Sequence, residues 1–341
     1  MRILNIDGGY FIRVLREMGH EVLSVGREGC CDLVLDEVAS LRRLMEFLES
    51  RAFRPDLVLW ADNCRPPSVI GFESLPAPCI GFSIDQYCNP WHLPFSAAFD
   101  LMLVAQKDYR DMFQHRDLPR PVQWFPLFCN LAKDVDLGAE RDIPVSFVGT
   151  LSGSINKGRM DFLNAFKRFQ PVFLHQGLYP PVYGRSRIVV NQSAAGEINF
   201  RTFEAAACGA AMLTEDIANG QAEIFTPGET VLTYPRGDAE AAARVAREWL
   251  ARPEDLARVA RAGRDLVLAE HSDRVRAQEI IRHAERLTSK HSWKWRFENQ
   301  GIVRGELAKM FTMLGSDWEL PIPLALRDCY VRLAGRYLSA Q

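Results

Sequence analysis

The sequence predicts an α/β protein built from two doubly wound, parallel-sheet domains, and three observations carry that prediction. Short apolar runs of strand length alternate with segments of helical apolar spacing from residue 2 to residue 127. The alternation starts again near residue 144, after a polar break at 128–143. The 341 residues are enough for two domains of ordinary size.

The first half opens with RILNI at 2–6, the apolar run of a strand buried on both faces. Asp7-Gly8-Gly9 breaks it. Phe11, Val14, Leu15 and Met18 then recur at helical spacing, and Gly19 stands where a glycine ends a helix. EVLSV at 21–25 completes a βαβ unit of near-minimal length. Leu41, Leu44, Met45 and Leu48 mark the next helix. DLVLWA (56–61), PCIGFSI (78–84) and FDLMLVA (99–105) read as strands, followed by a short helix around 106–115 and by VQWFPL at 122–127. The first turn is D-G-G-Y, so the G-x-G-x-x-G dinucleotide fingerprint is absent and an NAD-type dehydrogenase is disfavoured. Asp7 and its glycines still stand at the rim where open α/β sheets bind ligands, as a tight turn or as a ligand contact.

In the second half VSFVGTL (145–151) runs into Gly149-Thr150 and a small polar loop, Ser152-Gly153-Ser154. Lys157 and Arg159 follow as a helix containing Phe162 and Phe166 begins. A glycine-bearing loop entering a helix offers N–H groups and a positive dipole end to an anion, and the two cations would add charge. RIVVN (187–191) is a strand, FRTFEAAACG a helix, and AMLT (211–214) a strand. A short helix, a Pro-Gly turn and a strand lead to residue 234. Three helices fill 238–286, with apolar positions at i, i+3 and i+4.

Apolar residues make up 48% and charged residues 25%, which excludes disorder as the main theme. A net charge of −2 gives no overall electrostatic footprint for nucleic acid. No run reaches the ~18 apolar residues of a membrane span. The N-terminus lacks the features of a signal peptide. The eight cysteines form no C-x-x-C pair and no metal-like spacing, which suits free thiols in a reducing cytoplasm. A cytoplasmic location is therefore expected.

NFRTFEAAACGAAMLTEDIANGQAEIFTPGETVLTY (199–234) resembles the nucleotide-sugar half of GT-B glycosyltransferases, most of all the group related to spore-coat maturation (CgeB-type) proteins. The resemblance rests on Asn199, Arg201, Phe203, Glu204, Cys208 and Gly209, then Phe225, Pro227, Gly228, Glu229 and Tyr234. YGRSRIVVN upstream and AEHSDRVRAQEI downstream extend it over roughly 145–286. It implies a GT-B fold: two Rossmann-like, doubly wound domains facing a central cleft, with a helical C-terminal tail. The expected domains are an acceptor-side domain at 1–135, a nucleotide-sugar domain at 144–286 and a tail at 287–341. The implied activity is transfer of a sugar from a nucleotide-diphosphate-sugar to a glycan, protein or small-molecule acceptor, with no further cofactor.

In that family the glutamate of this block binds the donor ribose, which implies that role for Glu204. Arg201 and Lys157 would neutralise phosphate charge as the nucleoside diphosphate leaves. Asn199, Arg159, Gly149, Thr150 and Gly209 complete the expected donor-binding set. Many retaining members carry E-x7-E. Here the first position is Gly196, with Glu197 one residue later, so retention or inversion stays open. Asp134-Val135-Asp136 imitates a D-x-D metal motif, but it lies in the polar break and is expected to be solvated linker. No metal site is expected.

An inverting transferase needs a base beside the acceptor hydroxyl. Asp85, at the end of PCIGFSI, is the first candidate, ahead of His92 in the same loop and Asp62 at the end of DLVLWA. Tyr10, Tyr87 and Trp91 could stack on a sugar. The tail reads as a helix returning to the first domain, as a partner or acceptor platform, or, more weakly, as a membrane-surface helix interrupted by acidic residues. Two other functions fit the same fold: a nucleotide-sugar epimerase, and a binding protein that has lost its base.

Overall fold

The computed structural model describes residues 1–151, 153 and 156–339. It divides into two compact units. The second is Pro126–Arg276, and the first is Met1–Phe125 with the segment from Ala277 onward.

In the first unit β1 (Arg2–Asp7), β2 (Glu21–Gly26), β3 (Leu33–Val34), β4 (Leu57–Ala61), β5 (Cys79–Ser83), β6 (Leu101–Val104) and β7 (Val122–Trp124) form one sheet. Their order is β3-β2-β1-β4-β5-β6-β7, and every neighbouring pair is parallel. The chain winds outward from β1 to β3, then crosses back to β4 and winds the other way. The direction therefore reverses between β1 and β4, which is where open α/β sheets bind ligands, beyond the carboxyl ends of the strands. β4 and β5 are buried at every position, as expected of strands covered on both faces.

In the second unit β8 (Ile143–Val148), β9 (Phe173–His175), β10 (Ser186–Val190), β11 (Ala211–Asp216) and β12 (Leu232–Pro235) are ordered β12-β11-β10-β8-β9, again all parallel. Here the reversal lies between β8 and β10. The expected strands and helices are in place, apart from a few short elements. β3 and β9 are additional strands, of 2 and 3 residues, too short to show a pattern. The expected helix at 106–115 is a 3-10 turn, Lys107–Phe113.

The polar segment 128–143 is folded onto the second unit. Cys129 N–H donates to His271 O at 2.9 Å, and Asp273 N–H donates to Cys129 O at 2.8 Å. At the other end of that unit the helix Asp273–Ser289 carries the chain across the unit boundary. The tail helices Gln300–Ser316 and Leu324–Ser339 belong to the core of the first unit. Leu307, Met310, Phe311 and Tyr330 join the buried cluster of Trp60, Phe72, Phe95 and Phe99. Arg296 fixes the tail by two bonds to Asp100, at 2.8 and 3.0 Å, with both side chains buried.

Candidate functional site

The switch point of the second unit is bridged by Arg201, from the helix Phe200–Ala207. Its Nε donates to the carbonyl oxygen of Val148 at the end of β8, at 2.9 Å. Its Nη1 donates to Asn191 Oδ1, just past β10, at 2.5 Å. The guanidinium also lies 4.4 Å from the centre of the Phe147 ring. One side chain thus ties together the two strand ends between which the sheet reverses. Gly149 makes this arrangement possible, because a Cβ there would collide with Arg201 Nη2.

Asn199 stands at the N-terminus of the same helix, and its Nδ2 donates to Asn191 Oδ1 at 3.0 Å. Asn191 Oδ1 accepts from Arg201 as well, so the Asn199 amide is oriented with its nitrogen toward Asn191. Asn199 Oδ1 is left buried with no partner among the described residues. A buried acceptor without a donor is uncommon and invites a ligand N–H or O–H.

Glu204 is half-buried on the next turn, three residues from Arg201 and on the same side of the helix. It is the fifth residue of the helix rather than its start, so the dipole gives it little help. Burial, and next the carboxylate of Asp134, push its pKa up to about 7, while the nearby Tyr179 hydroxyl pulls it down. Tyr179 donates to Asp134 Oδ1 at 2.7 Å, and Asp134 Oδ2 accepts the Asn130 N–H at 2.7 Å. Asp134 is therefore not solvated linker as expected. It is 2% exposed, and burial raises its pKa. Its companion Asp136 pairs with Arg141 at 3.0 Å. Among the described residues no group of three or more His, Cys, Asp or Glu is arranged to hold a metal ion.

Arg159 serves the loop more than an anion. It is buried, and it donates to Gln192 Oε1 at 2.9 Å, to Thr150 O at 2.8 Å and to Gln192 O at 3.2 Å. Lys157 and Thr150 are exposed nearby in sequence. Ser152 and Ser154 lie outside the described residues. Gly209 is not brought to the switch point. It follows the helix C-terminus in a left-handed conformation, φ +81°, against Arg141 and Asp136. The altered E-x7-E spacing also has a structural cause. Gly196 has φ +83°, and a Cβ there would stand 2.9 Å from Arg236 Nη1. Glu197 accepts the N–H groups of Ala194 and Ala195, at 3.0 and 2.7 Å, and so shapes the loop.

In the first unit Asp62, Asp85 and His92 do come together at the carboxyl ends of β4 and β5. Asp62 is fully buried and accepts backbone N–H groups from Cys64 at 2.8 Å, Asp85 at 2.9 Å and Ile84 at 3.2 Å. His92 is also fully buried, with Nδ1 2.8 Å from Ser83 Oγ and Nε2 3.6 Å from Asp62 Oδ1. Burial lowers its pKa to about 3, so the ring is neutral. Neither group has surface to offer an acceptor hydroxyl, and both hold the loop that carries Asp85. Asp85 is half-buried, accepts Tyr87 Oη at 3.0 Å and the Cys64 thiol at 2.5 Å, and has a pKa raised by burial and by Asp62. Asp7 is internally satisfied. It accepts Trp60 Nε1 at 2.9 Å and both donors of Ser68.

Asn191 and Tyr179, which belong to the cluster around Arg201 and Glu204, were not expected from the sequence. Asn191 had a signal, as the first polar residue after an apolar strand at the switch point. Tyr179 had none.

Residues 172–282, about a third of the chain, match a family model described as glycosyl transferase-like. Among curated proteins none matches the sequence significantly. A glycosyltransferase from Rickettsia africae is similar in structure, with a TM-score of 0.61, 13% identity, and coverage of 84% of this chain and 98% of that one. HepE of Anabaena, solved in complex with UDP-glucose, gives 0.58 and 14%, covering 85% and 100%. Sucrose-phosphate synthase from Thermosynechococcus elongatus gives 0.55 and 14%, covering 85% and 100%. At these identities the likeness shows the fold, which is GT-B: two Rossmann-like parallel-sheet units with a helical C-terminus. No described helix is long and apolar enough to cross a membrane.

Proposed function

We propose that this protein is a glycosyltransferase that takes a nucleotide-diphosphate-sugar and moves its sugar to a hydroxyl acceptor. The observation that carries the reading is Arg201 at the switch point of the unit that matches the glycosyl transferase-like model. A guanidinium already fixed in place stabilises phosphate charge that grows as the nucleoside diphosphate departs, without reorganising. Exposed Lys157 adds charge, while Arg159 ties Thr150 to Gln192. Asn199 Oδ1 accepts from the donor. Glu204 takes the ribose diol, its carboxyl beside the Tyr179 hydroxyl.

If the anomeric centre inverts, Asp85 takes the acceptor proton as the new bond forms. Burial and the neighbouring Asp62 raise its pKa, which makes its carboxylate a stronger base than an exposed one. Because HepE was solved with UDP-glucose, UDP-glucose is the first donor to try. Thermal melts with and without it, together with an assay for released UDP, test the reading. Stabilisation plus acceptor-dependent UDP release supports it. Neither effect across the common nucleotide sugars would overturn it.

A further inference from the structure

The second unit holds a cavity of about 340 Å³ at the edge of its sheet opposite the switch point. Four arginines line it: Arg141, Arg187, Arg261 and Arg264. Arg141 precedes β8, Arg187 is the second residue of β10, and Gly209, on the same wall, precedes β11. All three therefore mark the amino ends of the strands. The helix Phe200–Ala207 separates this place from Arg201 by about 12 Å, at 1.5 Å per residue.

Only Arg141 is neutralised, by Asp136 at 3.0 Å, and it also donates to Ser186 O at 2.8 Å and to Cys208 O at 3.1 Å. It is a fixed part of the wall. Arg187, Arg261 and Arg264 have no acidic partner among the described residues. Arg264 Nε is buried with no acceptor, although a buried charged donor is normally satisfied. Three uncompensated guanidinium groups beside one cavity repel one another unless an anion joins them. Planar N–H forks match phosphoryl oxygens in particular. Apolar lining comes from Leu256, Ala257 and Ala260, on the same helix Pro253–Glu270 that carries Arg261 and Arg264. The volume falls within the range of small-molecule sites and exceeds what a lone phosphate fills.

We propose that this cavity is a second binding site, separate from the donor site, for a phosphorylated small molecule. The phosphoryl group sits among Arg187, Arg261 and Arg264, and the body of the molecule lies on the Leu256–Ala260 wall. A site at the amino edge of the sheet can be occupied while a donor sits at the carboxyl edge, so the ligand acts as an effector rather than a substrate.

Inorganic pyrophosphate is the probe, titrated calorimetrically into the full chain at constant ionic strength. Three variants are compared with wild type. Arg201→Gln removes the donor-side cation, Arg187→Gln/Arg264→Gln removes the cavity's, and Arg261→Glu reverses charge at an exposed position that folding does not need. The proposal expects saturable binding to wild type and to Arg201→Gln. It expects at least tenfold weaker binding to Arg261→Glu in the Arg201→Gln background. Arg187→Gln/Arg264→Gln should melt no lower than wild type without anion, since it relieves repulsion, and should show the same loss. No binding to folded Arg201→Gln, or equal binding with and without Arg261→Glu, would overturn it.

Discussion

The guanidinium of Arg201 occupies the space that a Cβ on Gly149 would need. Gly149 also has φ +156°, a conformation that side chains rarely adopt. Gly149→Ala should therefore push Arg201 out of its bridge between Val148 and Asn191. Donor affinity should fall at least tenfold in a calorimetric titration, while strain lowers stability by roughly 1–3 kcal/mol. Unchanged affinity would mean that the bridge is not what the donor meets.

Glu204 gives the protein a pH signature. Its folded pKa, about 7, lies above the usual 4.5. The folded state then holds the proton more tightly, so this contribution to stability is complete below about 4.5 and is lost as pH rises through about 7. Glu204→Gln has no such loss. The melting temperature of the variant minus that of wild type should grow from pH 5 to pH 8. A difference that stays constant would contradict the buried, carboxylate-flanked environment.

For inverting transfer, Asp85→Asn should lower turnover by about 10²–10⁴ while donor affinity stays near wild type. The amide keeps the shape of the loop, and a thermal melt checks its fold. Full turnover in Asp85→Asn would remove the base role and favour a retaining route.

Arg296→Ala should destabilise the first unit by about 3–5 kcal/mol, because it leaves Asp100 buried and unpaired. Urea denaturation measures the loss. Adding Asp100→Ala to the variant should recover part of it. A loss below 1 kcal/mol would show that the tail is held by apolar packing alone.

The parallel sheets and the two units followed from the sequence because parallel strands buried on both faces leave continuous apolar runs, as in DLVLWA and RIVVN. β9 was not visible, since three residues at a sheet edge carry no period. Asp134 was misjudged because it lies in a polar stretch: Lys133 and Val135 on either side of it are exposed, and only the fold brings Tyr179 over it. Arg201 and Glu204 could be picked out by their motif, and the helix fixed their shared side. The three first-unit candidates were found together, but sequence gives no burial, and burial is what separates Asp85 from Asp62 and His92. Gly209 was grouped with the donor loop for its place in the motif, yet a helix of eight residues carries it to the other edge of the sheet.

The central claim is that a nucleotide sugar binds at the switch point between β8 and β10. Calorimetric titration of UDP, GDP, ADP, CDP and dTDP into wild type and Glu204→Ala tests it most directly. The account predicts saturable binding of at least one nucleotide to wild type. It also predicts at least tenfold weaker binding to Glu204→Ala, consistent with losing charge-assisted bonds of about 1.5–3 kcal/mol. If no nucleotide binds wild type, or if Glu204→Ala binds as well as wild type, the claim is wrong.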